Sequence, residues 1–129
     1  IEPHGERRGF MDKNARRFGL GHDERDRFTV SGAHAPDAFD AAGFSPDAVF
    51  VGGGLSREGL LEGAWQALNS GGVLVANAVT LEGQAVLSTW RERVHGDFTT
   101  LSVSRGDAVG RFTGLRPLMP VLQWVGRKP

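Results

Sequence analysis

Three consecutive glycines, Gly52 to Gly54, follow the short apolar run Ala48-Val49-Phe50-Val51 in the stretch "DAVFVGGGLSREGLL". Each glycine costs conformational entropy on folding, so three in a row need a chemical or a steric reason. A phosphate cradle is the first possibility. The P-loop pattern G-x-x-x-x-G-K-[ST] fails, because neither Lys nor a correctly spaced Thr follows Gly54. The dinucleotide pattern G-x-G-x-x-G, started at Gly52, needs glycine where Arg57 stands. Two readings are left. Either the backbone must lie close under a flat ligand or reacting centre, or the chain makes a tight turn from strand to helix.

Other residues carry chemistry by type and place. Glu2 stands directly before Pro3 and a helical pattern. An acid at the end of a strand in a nucleotide-binding sheet accepts hydrogen bonds from ribose hydroxyls; the plain alternative is a surface carboxylate. Asn77, Thr80 and Glu82 fall where a later strand meets its helix. Thr80 is equally suited to cap that helix, and Glu82 to sit in its first turn against the dipole. His34 lies in a turn, while His4, His22 and His95 read as surface residues. No His and carboxylate pair has ligand spacing, so no metal is predicted. Cysteine is absent, which excludes thiol nucleophiles, disulfides and Cys-based metal sites.

The elements that must position these residues follow from periodicity. Ile1-Glu2 reads as the end of a strand, and "HGERRGFMDKNARRFGLG" as a helix. Its Phe10, Met11, Ala15 and Phe18 share a face, and Gly19 and Gly21 supply the stop. Phe28-Thr29-Val30 is expected as a short strand, and "GAHAPDAFDAAGF" as a turn into a short helix. Ala48 to Val51 reads as a buried strand. A helix from about Ser56 to Asn69 turns Leu60, Leu61, Ala64, Trp65 and Leu68 inward. Val73 to Ala76 is the next strand. The helix from about Leu81 to His95 buries Val86, Leu87, Trp90 and Val94. "DFTTLSVSR" and "MPVLQWVG" read as two longer strands joined by a connection rich in Gly, Arg and Pro. This alternation predicts an α/β fold with a mostly parallel sheet and an antiparallel C-terminal hairpin. Ligands in such a sheet sit outside the carboxyl ends of the strands, which selects Glu2, Gly32-Ala33, Gly52 to Gly54 and Asn77 to Thr80.

The bulk properties agree with one ordinary globular domain of 129 residues, 40% hydrophobic and 23% charged. No apolar run is long enough to span a membrane, no secretory leader is visible, and the cytoplasm is the expected location. A net charge of zero speaks against a nucleic-acid or membrane-surface binder. Lys13 and Lys128 are the only lysines beside thirteen arginines. Genomic base composition explains that bias, or some arginines grip carboxylates with a planar fork that lysine cannot copy.

The runs "IEP...R...NARRFG", "GAHAPDAF", "PDAVFVGGGL", "LNSGGVLVANAVTLEGQAVL" and "SRGDAVGRFTGLRPLMPVLQW" together resemble one family. It is the C-terminal decarboxylating methyltransferase domain of the precorrin-6Y C5,15-methyltransferases of cobalamin biosynthesis. The similarity runs through almost the whole chain, and "VFVGGG", "ANAVTLE" and "GRFTG" in combination are specific.

The resemblance implies a Rossmann-like class I methyltransferase fold that uses S-adenosylmethionine. It also implies methylation of a precorrin at C15 with decarboxylation of the ring C acetate. In that setting Glu2 holds the cofactor ribose, Gly32 and Ala33 lie by the adenine, and Gly52 adjoins the cofactor. Relatives often carry an acid in place of Ala33, so adenine contact here falls mainly to backbone. Gly53, Gly54, Thr80 and Glu82 are the candidates at the reacting centre. Asn77, Arg105, Arg111 and Arg116 are the candidates for the many carboxylates of the macrocycle. The family's first strand and Gly-rich cofactor loop are expected upstream of Ile1. A homo-oligomer and a fused or partner C5-methyltransferase domain are expected as well. The rival expectations are another small-molecule or nucleic-acid methyltransferase on this fold, and a truncated domain without activity.

Overall fold

Alternating apolar strands and amphipathic helices recur in the computed structural model, which describes residues 1–20, 28–40 and 42–129. The expected roles of Gly21 and His22 lie outside the described residues. The chain divides into two units, Ile1–Phe44 and Ser45–Pro129.

The first unit holds helices α1 (Gly5–Arg17) and α2 (Asp37–Asp40). Glu6 in the first turn of α1 and Arg16 and Arg17 in its last turn oppose the helix dipole favourably. The expected stop at Gly19 is a Schellman motif. Leu20 N–H donates to Ala15 O at 2.8 Å and Gly19 N–H to Arg16 O at 3.1 Å. The expected apolar face is corrected: Ala15 is buried, but Phe10 and Phe18 are exposed. Among the described residues this unit has no strand ladder against which a wide helix face could pack. Residues 28–30 are corrected too. They form no strand, because one bond from Glu2 N–H to Ser31 O at 2.9 Å does not make a ladder.

The second unit runs β1 (Ala48–Val51), α3 (Leu60–Ala67), β2 (Val73–Ala78), α4 (Leu81–Arg93), β3 (Asp97–Leu101), β4 (Ser104–Val109), β5 (Phe112–Pro117) and β6 (Val121–Arg127). Four strands form one sheet in the order β1-β2-β6-β3. β1 and β2 are parallel, and β6 pairs antiparallel with both β2 and β3. So β1, β2 and β3 run one way and β6 alone runs against them. This is the expected parallel sheet closed by an antiparallel pair.

Three local expectations are revised. β1 is not fully buried: Phe50 is 64% exposed, and among the described residues the strand pairs with β2 alone. α3 begins at Leu60 rather than near Ser56, because Gly59 takes a left-handed φ of 75° just ahead of it. The Gly-rich connection after β3 is itself a hairpin, β4 with β5, forming a separate two-stranded sheet.

The core lies between β2, β6 and the helices. Leu74, Ala76 and Ala78 alternate inward along β2 beneath α4. Leu60, Leu61, Ala64 and Leu68 come from α3 and its end, and Leu87 and Trp90 from α4. Trp65, Trp90 and Trp124 meet pairwise with centroids 6.3 to 6.4 Å apart. Such pairs are worth roughly 0.5–1.5 kcal/mol beyond area burial. Trp124 is wholly buried, and backbone closes around it. A Cβ at Gly96 would stand 2.5 Å from both Trp124 Nε1 and Val125 O.

Gly96→Ala must therefore push the indole or the β6 backbone, at a cost of about 1–3 kcal/mol. Urea unfolding should show a lower midpoint with an unchanged slope, and an unchanged midpoint would refute the packing. Thr80 caps α4, its Oγ1 accepting from Gly83 N–H at 3.2 Å. Thr80→Ala should cost about 1 kcal/mol in the same measurement while Thr80→Ser costs little; equal loss in both variants would contradict the cap.

Candidate functional site

In the first unit, Glu2 is held beside residues 31–33. Its N–H donates to Ser31 O, and Ala33 N–H donates to Ser31 Oγ at 3.3 Å. The carboxylate is fixed as well: Oε1 accepts His4 N–H at 3.0 Å, and Oε2 lies 3.7 Å from Arg7 Nη1. The His4 N–H, helped by the Arg7 charge, holds the Glu2 carboxyl below the usual glutamate range. At neutral pH it is thus an ionised acceptor with lone pairs to spare, the state that a ribose diol requires. So the expected neighbours Glu2, Gly32 and Ala33 do fall together.

Arg8 was not anticipated. It touches this corner through backbone carbonyls: Nη1 donates to Pro3 O at 2.7 Å and to Glu2 O at 3.2 Å. No motif signals such a role, because carbonyls are the same in every residue.

In the second unit, the three glycines have three different local reasons. Gly54 has φ 75°, a left-handed conformation that disfavours side chains, and its carbonyl accepts Arg57 N–H at 2.9 Å. A Cβ at Gly52 would approach Phe50 Cε1 at 3.0 Å. Gly53 has neither excuse: no described atom lies within 4 Å of its would-be Cβ, and its φ is not left-handed. The tight-turn reading thus accounts for Gly54 and a close contact for Gly52. Gly53 alone retains the close-approach reading undiminished.

The register Val51↔Ala76 brings Gly52 level with Asn77 on the neighbouring strand. Asn77 Oδ1 accepts Gln123 Nε2 at 3.0 Å, across the β2–β6 pair. Thr80 Oγ1 is engaged as the α4 cap, and Glu82 is exposed in the first turn of that helix. Both have the structural roles that their positions allowed. Among the described residues no group of three His, Asp or Glu could hold a metal ion.

The arginines occupy the hairpin. β3 ends at Leu101 opposite Val121, and Ala78 at the end of β2 is opposite Leu122. The base of the hairpin therefore rises from the carboxyl ends of β2 and β3. Arg105 and Arg116 are direct cross-strand partners near that base. Like charges so placed repel, and Asp107 on the same face relieves one of them, 2.5 Å from Arg116 Nε. Arg111 stands at the tip, its guanidinium 4.9 Å from the Phe112 ring. Six strand residues separate it from the base, roughly 20 Å.

The chain matches the precorrin methyltransferase domain family over residues 1–128. It is 42% identical over 125 residues to a precorrin-6Y C(5,15)-methyltransferase [decarboxylating] of Sinorhizobium sp, covering 96% of this chain and 29% of that protein. The C-terminal domain of precorrin-6Y C5,15-methyltransferase from Rhodobacter capsulatus superposes with TM-score 0.84 at 34% identity. The match covers 99% of this chain and 66% of that one. A SAM-dependent O-methyltransferase from Thermotoga maritima shares the fold, with TM-score 0.62 at 17% identity, 93% of this chain and 45% of that one. The chain thus spans less than a third of the length of the precorrin-6Y C(5,15)-methyltransferases it matches. A Rossmann-like sheet with a reversed last strand and a match along nearly its whole length place this chain in the precorrin methyltransferase domain family.

Proposed function

We propose that the protein is an S-adenosylmethionine-dependent methyltransferase of cobalamin biosynthesis. It methylates a precorrin at C15 and releases the ring C acetate carboxylate as CO2. The observation that carries this reading is the family match along residues 1–128. The residues present fit the cofactor: Glu2 is an ionised acceptor suited to ribose hydroxyls, and Gly32 and Ala33 offer backbone for the adenine.

When bound, the sulfonium supplies an electrophilic methyl group. The chain's own contribution is orientation, which is worth roughly 7–11 kcal/mol at best in such a displacement. Gly52 and Gly54 shape the turn, and Gly53, with no described atom where its side chain would stand, lets backbone approach a flat macrocycle. Decarboxylation leaves an electron pair in the conjugated ring, so no nucleophile from the protein is needed. Asn77 and Arg105, which has no ion pair among the described residues, favour the acidic substrate, joined by Arg116 and by Arg111 at the tip. Thr80 and Glu82 act at one remove by fixing the start of α4.

The domain extends beyond this chain in our reading. Among the described residues β1 pairs on one side only, and the Rhodobacter capsulatus domain is covered only to 66%. We place the first strand, the Gly-rich cofactor loop and a fused C5-methyltransferase domain in the additional sequence. The exposed apolar hairpin residues Val109, Phe112 and Leu115 favour a homo-oligomer. The cytoplasm suits this chemistry.

Calorimetry with precorrin and S-adenosylhomocysteine tests the division of labour. Arg105→Ala or Arg111→Ala should weaken precorrin binding roughly tenfold and leave S-adenosylhomocysteine unaffected, with Glu2→Gln showing the reverse. Equal losses of both ligands in each variant would contradict the assignment.

A further inference from the structure

Arg8 makes the contacts on which the Glu2 corner depends. Besides its bonds to Pro3 O and Glu2 O, its guanidinium covers Gly32. A Cβ at Gly32 would lie 2.9 Å from Nη1, 3.1 Å from Cζ and 3.4 Å from Nε. Three atoms of a planar group at such similar distances mean that its face rests on Gly32, not its edge. Gly32 is not in the left-handed region, so its missing side chain is explained by this contact and not by backbone angle. The bond from Glu2 N–H to Ser31 O closes the set. One side chain thus ties residues 2 and 3 to Gly32, where among the described residues no helix or ladder does so.

We propose that Arg8 is a positioning residue for cofactor binding: it aims the Glu2 carboxylate at the ribose hydroxyls, its guanidinium resting where a side chain at position 32 would lie. This rests on the reading above that Glu2 and Gly32 hold the adenosine end of the cofactor. Arg8 does not need to touch the ligand. A single nitrogen, Nη1, serves both carbonyls while the planar face of the guanidinium lies flat on Gly32, a stacking that the ammonium of lysine cannot reproduce. Charge-assisted bonds to the two carbonyls are stronger than neutral ones. Without them Glu2 is held by its His4 and Ser31 bonds and the Arg7 ion pair, and its carboxylate is presented over a wider range of directions. Displacements of about 1 Å suffice for large losses at such sites.

The test uses the full natural polypeptide and two ligands, S-adenosylhomocysteine and its 2′,3′-dideoxyribose analogue, titrated by calorimetry. The wild type should prefer the ligand with hydroxyls. Arg8→Ala should weaken S-adenosylhomocysteine roughly tenfold, leave the analogue within about twofold, and so erase the preference. Gly32→Ala retains the arginine but displaces it, and should give the same signature even if Arg8→Ala fails to fold. Arg8→Lys should recover only part of the preference. A full preference retained in Gly32→Ala, or equal weakening of both ligands, would overturn the role of Arg8. A wild type that binds both ligands equally would overturn the ribose role of Glu2 and the present inference with it.

Discussion

The burial of Trp124 is the constraint on which the second unit depends. The residue sits on β6, the one strand that runs against its neighbours, and its ring is enclosed by Trp65 and Trp90. A side chain at Gly96 or Gly126 would collide with the indole, so both glycines are part of its pocket. The indole N–H groups of Trp90 and Trp124 have no partner among the described residues. Each such group costs about 1–3 kcal/mol, which tight aromatic packing must offset. Where Trp124 sits decides the register of β6 against β2 through the pair Ala76↔Trp124. A slip by one residue would turn the ring to the other face.

That register has consequences at the ligand end. It sets Asn77 opposite Gln123, the end of β2 beside the start of β6, and the first turn of α4 immediately after it. It also determines where the β4–β5 hairpin rises, because β3 and β6 form its two legs. Leu118 N–H closes the base on Val103 O at 2.9 Å. Above that base nearly every hairpin side chain is exposed. The arm therefore carries cations and apolar groups that the unit's own core does not use. Binding and assembly are the uses open to such groups, whereas packing inside the unit is not.

Much of this arrangement is legible in the residues, and the failures have local causes. β1 and β2 are apolar runs, and both lie where expected. α4 begins at Leu81 behind a recognisable cap, and α1 stops at Gly19 by a turn that glycine makes available. α3 starts four residues later than its apolar periodicity suggests, because Gly59 breaks the path by backbone angle, which composition does not display. "RGDAVGRFTGLRP" reads as a connection because the hairpin is exposed on both faces. Strand recognition relies on alternation between a buried and a wet face, and here there is no buried face. At the candidate site, Glu2 and Thr80 are legible because their side chains make the local bonds that their positions suggest. Arg8 is not, because it acts on carbonyls and on an absent side chain at Gly32. The glycine run was correctly noticed, yet only its geometry separates Gly54 and Gly52, with local reasons, from Gly53.

The reading of this chain as a decarboxylating methyltransferase is tested most directly by the mass of the product. The full polypeptide is incubated with S-adenosylmethionine carrying a labelled methyl group and with the precorrin substrate. The account predicts a product that gains one labelled methyl at C15 and loses one CO2 from the ring C acetate. A methyl without loss of CO2, loss of CO2 without a methyl, or unchanged substrate would contradict it.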